Sequence, residues 1–262
     1  MNNRTKFGIF DSGVGGITLT KELINFLPNH DIVYLADTAR FPYGTKSTSL
    51  VIQYATEAVE FLLKEGAQTI IIACNTVCST ALNELKSLFT VPFFDIIEPA
   101  AKKALSISKT KKIGLIATPQ TVKSNIYSTY IDNLIAVPTP LLAQIIEEGC
   151  PNSEKIRQIL HEYLLPMKGK IDTLISGCTH YMLLNPYIQQ EIGKEVQIID
   201  PSPIVAKEIA SKLAHESSST RQSIQFFTTS DPDRFKVVAE PIFGQQMPDV
   251  HLTTIERSPT HV

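Results

Sequence analysis

Four cysteines in 262 residues, none in a CxxC pair, provide neither a disulfide framework nor a zinc knuckle. Cys74, Cys78, Cys150 and Cys178 are expected to be free thiols. Lysine and arginine form no basic run and the net charge is −2, so no phosphate-backbone partner is advertised and nucleic acid is not expected to bind. No apolar stretch approaches the ~20 residues of a membrane span. The opening Met1-Asn2-Asn3-Arg4-Thr5-Lys6 leads into a short strand-like run that stops at Asp11, which does not read as a signal peptide, and a cytoplasmic protein is expected. Nothing resembles a Schiff-base lysine with its phosphate cup, so pyridoxal phosphate is not expected.

What the chain does have is a repeated pattern. Two apolar runs, Ile70-Ile71-Ile72-Ala73-Cys74-Asn75-Thr76 and Leu174-Ile175-Ser176-Gly177-Cys178-Thr179-His180, each deliver a cysteine followed by a threonine, and the cysteines lie 104 residues apart. Lys6 to Ser12 recurs as Lys112 to Thr118 at an offset of 106, and Val91 to Asp95 recurs as Val196 to Asp200 at 105. Coincident offsets point to internal duplication.

Short β-branched or apolar runs alternate with segments of helical period, the pattern of parallel sheets with crossover helices. Strands are expected at Phe7 to Phe10, Ile32 to Ala36, Thr69 to Ala73, Phe93 to Ile96, Ile113 to Ala117, Leu174 to Ser176, Val196 to Ile199 and Ile224 to Thr228. Helices are expected at Gly16 to Phe26, Leu50 to Lys64, Thr76 to Leu88, Glu98 to Leu105, Gln120 to Ile131, Glu154 to Tyr163 and Ile204 to Ala214. The fold class is α/β, as two pseudo-symmetric lobes with mostly parallel sheets flanked by helices. Residues 1–97 with 208–262 form the expected first lobe and 98–207 the second, with His215 to Gln222 a polar surface connection. The ligand site is expected in the cleft between them, at the C-terminal strand ends.

Each run that carries Cys74 or Cys178 precedes a helix, and proximity to a helix N-terminus favours thiolate over thiol. Either cysteine alone reads as a small buried hydrophobe; the aligned pair reads as two bases on opposite faces of one carbon. Cys78 is expected to pack. His180 and Asp11 lie near the two thiols and can tune their proton affinity. A zinc site from Cys74, Cys178 and His180 lacks a fourth ligand, so no metal is expected. Asp11-Ser12-Gly13-Val14-Gly15-Gly16 is either an anion-holding loop or a tight strand-to-helix turn; it is neither a Walker A loop nor a full GxGxxG. Ser12, Asn75, Thr76, Thr118 and Thr179 supply short donors suited to an amino acid. Phe41-Pro42-Tyr43-Gly44 reads as a stiff loop able to close over a ligand, or as a surface turn.

Together, Phe10 to Gly16, Pro42-Tyr43-Gly44, Cys74-Asn75-Thr76 and Gly177-Cys178-Thr179-His180 resemble the glutamate racemases, a cofactor-independent branch of the aspartate/glutamate racemase superfamily. The resemblance spans essentially the whole chain. It implies conversion of L-glutamate to D-glutamate for bacterial peptidoglycan, with no cofactor and a homodimeric assembly. It further implies that Cys178, assisted by His180, takes the α-proton of L-glutamate while Cys74, assisted by Asp11, returns one to the other face. Asp11, Ser12, Pro42, Tyr43, Gly44, Cys74, Asn75, Thr76, Thr118, Thr121, Cys178, Thr179 and His180 match substrate-holding positions, and Glu147 matches an assisting acidic position. Near Glu147 this chain carries Thr139-Pro140 and Ala143-Gln144 where the family often has Cys-Pro and Val-Pro. Alternatives are another racemase of the superfamily, acting on aspartate or a hydantoin, and a non-catalytic amino-acid-binding protein.

Overall fold

Strands form where aliphatic and β-branched residues run unbroken, as burial on both faces of a parallel sheet demands. The computed structural model describes residues 5–149, 153–213 and 222–256. Cys150, the opening residues Met1 to Arg4 and residues 214–221, which include most of the expected polar loop, lie outside the described residues. The elements run β1 Lys6–Asp11, α1 Ile17–Phe26, β2 Asp31–Ala36, α2 Thr48–Lys64, β3 Thr69–Ile72, α3 Asn75–Thr80, α4 Leu82–Leu88, β4 Phe93–Phe94 and α5 Ile97–Ile107. There follow β5 Ile113–Ala117, α6 Pro119–Lys123, β6 Ile135–Pro138, α7 Leu142–Glu147, α8 Ser153–Leu164, β7 Thr173–Gly177, α9 Asn185–Ile192, β8 Gln197–Ile199 and α10 Pro201–Lys212. The chain then forms β9 Ile224–Thr228, α11 Pro232–Phe243 and β10 Val250–Leu252.

Two sheets result, ordered β10-β9-β2-β1-β3-β4 and β6-β5-β7-β8, with the strand pairings parallel throughout. The order β2-β1-β3-β4 in the first is repeated as β6-β5-β7-β8 in the second. Register repeats too: Phe7 pairs with Thr69 in one sheet and Ile113 with Thr173 in the other. This is the expected two-lobed α/β architecture. Helices α5 and α10 tie the lobes together, because α5 packs on β7 and β8, α10 packs on α1, and the two pack on each other. Among the described residues no helix is long and apolar enough to cross a membrane.

Several elements depart from expectation. The helix expected over Thr76 to Leu88 breaks at Ala81 into α3 and α4. That expected over Gln120 to Ile131 stops at Lys123, because Asn125 takes a left-handed φ of 57° and a 3₁₀ turn follows at Ile126–Thr129. Strands β6 and β10 and helices α7 and α9 were not expected. The strands are short and partly exposed, so neither presents an uninterrupted apolar run.

Candidate active site

Parallel strands bring their following loops to one edge of a sheet, and the central strands β1, β3, β5 and β7 here lead into Ser12, Cys74, Thr118 and Cys178. These converge on one cleft. Ser12, Pro42, Tyr43, Gly44, Cys74, Asn75 and Thr76 line it from the first sheet's side, and Thr118, Cys178, Thr179 and His180 from the second. Asp11, Thr121 and Glu147 stand behind that wall and bond to residues that form it.

Cys74 sits at the N-cap position of α3, 6% exposed, with the Ser12 hydroxyl 3.6 Å from its sulfur. Burial, with the nearby Asp11 charge, pushes its thiol up to about 12, while the Val77 N–H and the Ser12 hydroxyl pull the other way. Cys178 directly follows β7 at 7% exposure, and its sulfur lies 3.6 Å from Nδ1 of His180. Nε2 of the same ring is 2.6 Å from Oε1 of Glu147. Burial alone drives the His180 imidazole toward neutrality, but the bonds and charges of Cys178 and Glu147 outweigh it and hold its proton affinity well above the ordinary range. The two sulfurs thus have unlike surroundings, a hydroxyl beside one and an imidazole beside the other.

Asp11 is fully buried, and burial raises its carboxyl to about 6 against the opposing pull of His180, the Gly13 N–H and the Thr179 hydroxyl. Its Oδ1 accepts from Gly13 N–H at 2.9 Å, while Oδ2 accepts from Thr179 of the opposite lobe at 3.0 Å. The Gly-rich loop does receive a carboxylate, and it is the protein's own: Val14 N–H donates to Oε1 of Glu147 at 2.7 Å. The glycines make room for this seam. A Cβ on Gly13 would lie 2.0 Å from that oxygen, and one on Gly15 2.3 Å from Oγ1 of Thr179.

The hydroxyls of Thr76, Thr118 and Thr121 form a chain, with Oγ1 of Thr118 at 2.9 Å from Thr76 and 3.0 Å from Thr121. Tyr127 donates to Oδ1 of Asn75 at 2.8 Å, which leaves the buried Nδ2 without a protein partner. Asn75 lines the cleft, and an unpaired amide donor there suits a carboxylate. Cys78 packs instead, donating to the Ile72 carbonyl at 3.2 Å. Among the described residues, no three His, Cys, Asp or Glu side chains are grouped to hold a metal ion.

Several supporting residues were not anticipated. Tyr34 donates to the Gly13 carbonyl at 2.6 Å, Phe41 packs at a tilt against the His180 ring with centroids 5.6 Å apart, and Asp37 accepts from Tyr43. Phe41, Thr45, Pro119, Pro140 and Ala143 complete the lining. Phe41 had a signal in the Phe41-Pro42-Tyr43-Gly44 loop, and Pro140 and Ala143 in the segment before Glu147; Thr45 and Pro119 directly follow Gly44 and Thr118 in the chain.

The Asp/Glu/Hydantoin racemase family model matches residues 17–209. A glutamate racemase of Aquifex pyrophilus is 41% identical over 247 residues, covering 93% of this chain and 96% of that protein. The crystal structure of a Bacillus anthracis glutamate racemase isoform superposes with a TM-score of 0.90 at 34% identity, covering 97% of this chain and 98% of that one. A Francisella tularensis glutamate racemase in complex with D-glutamate superposes at 0.88 with 32% identity, covering 97% and 98%.

Proposed function

This chain belongs to the Asp/Glu/Hydantoin racemase family, and from that premise we propose that it interconverts L- and D-glutamate, without a cofactor, by a two-thiol mechanism. The observation that carries this reading is the arrival of Cys74 and Cys178 from equivalent strands of two like sheets at one cleft. The glutamate racemases named above, similar over nearly the full chain, support glutamate as the substrate.

The α-hydrogen of an amino acid is a very weak acid, so the site must hold a base against it and stabilise the carbanion charge as it develops. From L-glutamate, Cys178 removes the proton: His180 stands beside its sulfur, and the bond to Glu147 helps keep that imidazole charged. Cys74, whose surroundings keep it a thiol, gives its proton to the opposite face. From D-glutamate the roles exchange. Asn75 Nδ2 and the hydroxyls of Ser12, Thr76, Thr118 and Thr179 hold the substrate's polar groups, Thr121 orients Thr118, and Pro42, Tyr43 and Gly44 close one wall. Asp11 assists Cys74 by its charge and through Ser12, its neighbour in the chain.

The same reading makes the protein a cytoplasmic homodimer of lobes 1–97 with 208–262 and 98–207, supplying D-glutamate for peptidoglycan. A circular-dichroism assay of the purified protein with L-glutamate and no added cofactor tests it. The ellipticity should decay to zero as the racemate forms; a constant signal contradicts the reading.

A further inference from the structure

Between the cleft and helix α2 lies a cluster of charges that no step of the mechanism uses. Asp37 is fully buried and Glu57 is 4% exposed. Arg40 joins them, its Nε donating to Oδ2 of Asp37 at 2.6 Å and a terminal nitrogen pairing with Glu57. The guanidinium also lies over the Tyr54 ring, 4.0 Å from its centroid. Every acceptor in the cluster is served: Gln53 donates to Oε1 of Glu57 at 2.9 Å and Thr229 to Oδ1 of Asp37 at 2.8 Å. The phenol of Tyr43 also donates to Oδ2 of Asp37. Two buried carboxylates are costly without a cation between them, and Arg40 is the cation they share.

The position of the cluster gives it a purpose. Tyr43 and Gly44 line the cleft, and Phe41 packs against the His180 ring. Gly44 is seated so closely on Thr118 that an added Cβ would stand 2.5 Å from that residue's Cβ. The loop between β2 and α2 therefore touches substrate-facing groups of both lobes, and its base is tied through Arg40 to α2.

We propose that Arg40 is a positioning residue for the racemisation reaction: by bridging Asp37 and Glu57 it fixes Tyr43 and the 41–44 segment as a wall of the cleft. This rests on the functional reading above. A planar guanidinium can grip two carboxylates and a ring face at once, whereas an ammonium cannot. Displacing a substrate wall by about 1 Å is enough to lose much of kcat/KM.

The test is Arg40→Ala, studied by steady-state kinetics with glutamate and by hydrogen exchange of residues 43–46. KM should rise about tenfold or more with a much smaller change in kcat, and the Lys46 amide, which donates to the Tyr43 carbonyl at 3.0 Å, should exchange faster. Millimolar ethylguanidinium should recover much of the loss, ethylammonium at equal ionic strength should not, and Arg40→Lys should remain impaired. A folded Arg40→Ala protein with unchanged KM and unchanged exchange overturns the proposal, as does equal rescue by the two cations. Should that variant fail to fold, Glu57→Gln frees the α2 arm alone; a smaller KM rise with faster exchange is expected, and no change in either is the contrary result. A wild-type protein inactive on glutamate would refute the functional reading, and the exchange measurement would still judge the clamp.

Discussion

Oε1 of Glu147 lies 2.6 Å from Nε2 of His180, and the same oxygen accepts the Val14 N–H at 2.7 Å. One carboxylate from α7 thus fixes the imidazole beside Cys178 and the glycine loop beneath Asp11. It couples the electrostatics of one thiol to the seam between the lobes.

Glu147→Gln keeps an oxygen for Val14 but removes the charge that helps hold His180 protonated. A histidine with raised proton affinity contributes stability in full below its unfolded value and loses it as pH rises through the folded one. The variant should therefore lose His180 protonation at lower pH than the wild type. We expect kcat/KM to fall roughly tenfold near neutrality and further at alkaline pH, measured as a pH–rate profile. A profile superimposable on the wild type contradicts the role given to Glu147.

Asp11 has the same pH sense for a different reason, since burial favours its neutral form. Its carboxyl is raised by burial from 3.8 to about 6, so the folded protein binds more protons than the unfolded chain between those values, and stability from this group falls as pH rises through them. That rise is worth on the order of 3 kcal/mol. Asp11→Asn carries no such penalty, and its stability relative to the wild type should improve by that order between pH 4 and pH 7, even as racemisation drops. Urea denaturation at both pH values checks this; a difference independent of pH contradicts it.

The core of the fold was legible because buried parallel strands leave unbroken apolar runs, and because the chain repeats itself. Phe7 to Phe10, Thr69 to Ala73 and Ile113 to Ala117 read directly as strands. The duplication extends to β6 and α9, which take the places in the second half of the chain that β2 and α4 hold in the first. Extending the offset would have located both. The cysteines, Ser12, Thr118 and His180 were legible as loop residues at strand ends. The bonds of Asp37 to Tyr43, Tyr127 to Asn75 and Tyr34 to Gly13 were not, since each is fixed by packing between segments and leaves no local pattern.

Cys74→Ala and Cys178→Ala should each lower racemisation by roughly a thousandfold or more with the fold retained, because each face of the α-carbon needs its own proton-transfer group. Cys78→Ala should stay within a few-fold of wild type, since its thiol only packs and bonds the Ile72 carbonyl. Comparable activity losses for all three would mean that the cysteines matter for stability rather than chemistry, and thermal melts separate the two.

Aspartate should be a poor substrate. Donors spaced for the longer side chain are left unpaired by the shorter one, and an unsatisfied buried donor costs roughly 1–3 kcal/mol. That corresponds to about ten- to a hundredfold in kcat/KM. Equal kcat/KM for the two amino acids would remove the preference for glutamate.

The claim that two separate thiols serve the two faces is tested most directly by isotope flow in D₂O. L-glutamate converted by the wild-type protein should yield D-glutamate carrying deuterium at the α-carbon, while the unreacted L-glutamate stays largely protiated early in the reaction, as mass spectrometry of the separated enantiomers would read. Equal early labelling of both enantiomers would point to a single base exchanging with solvent and contradict the two-thiol account.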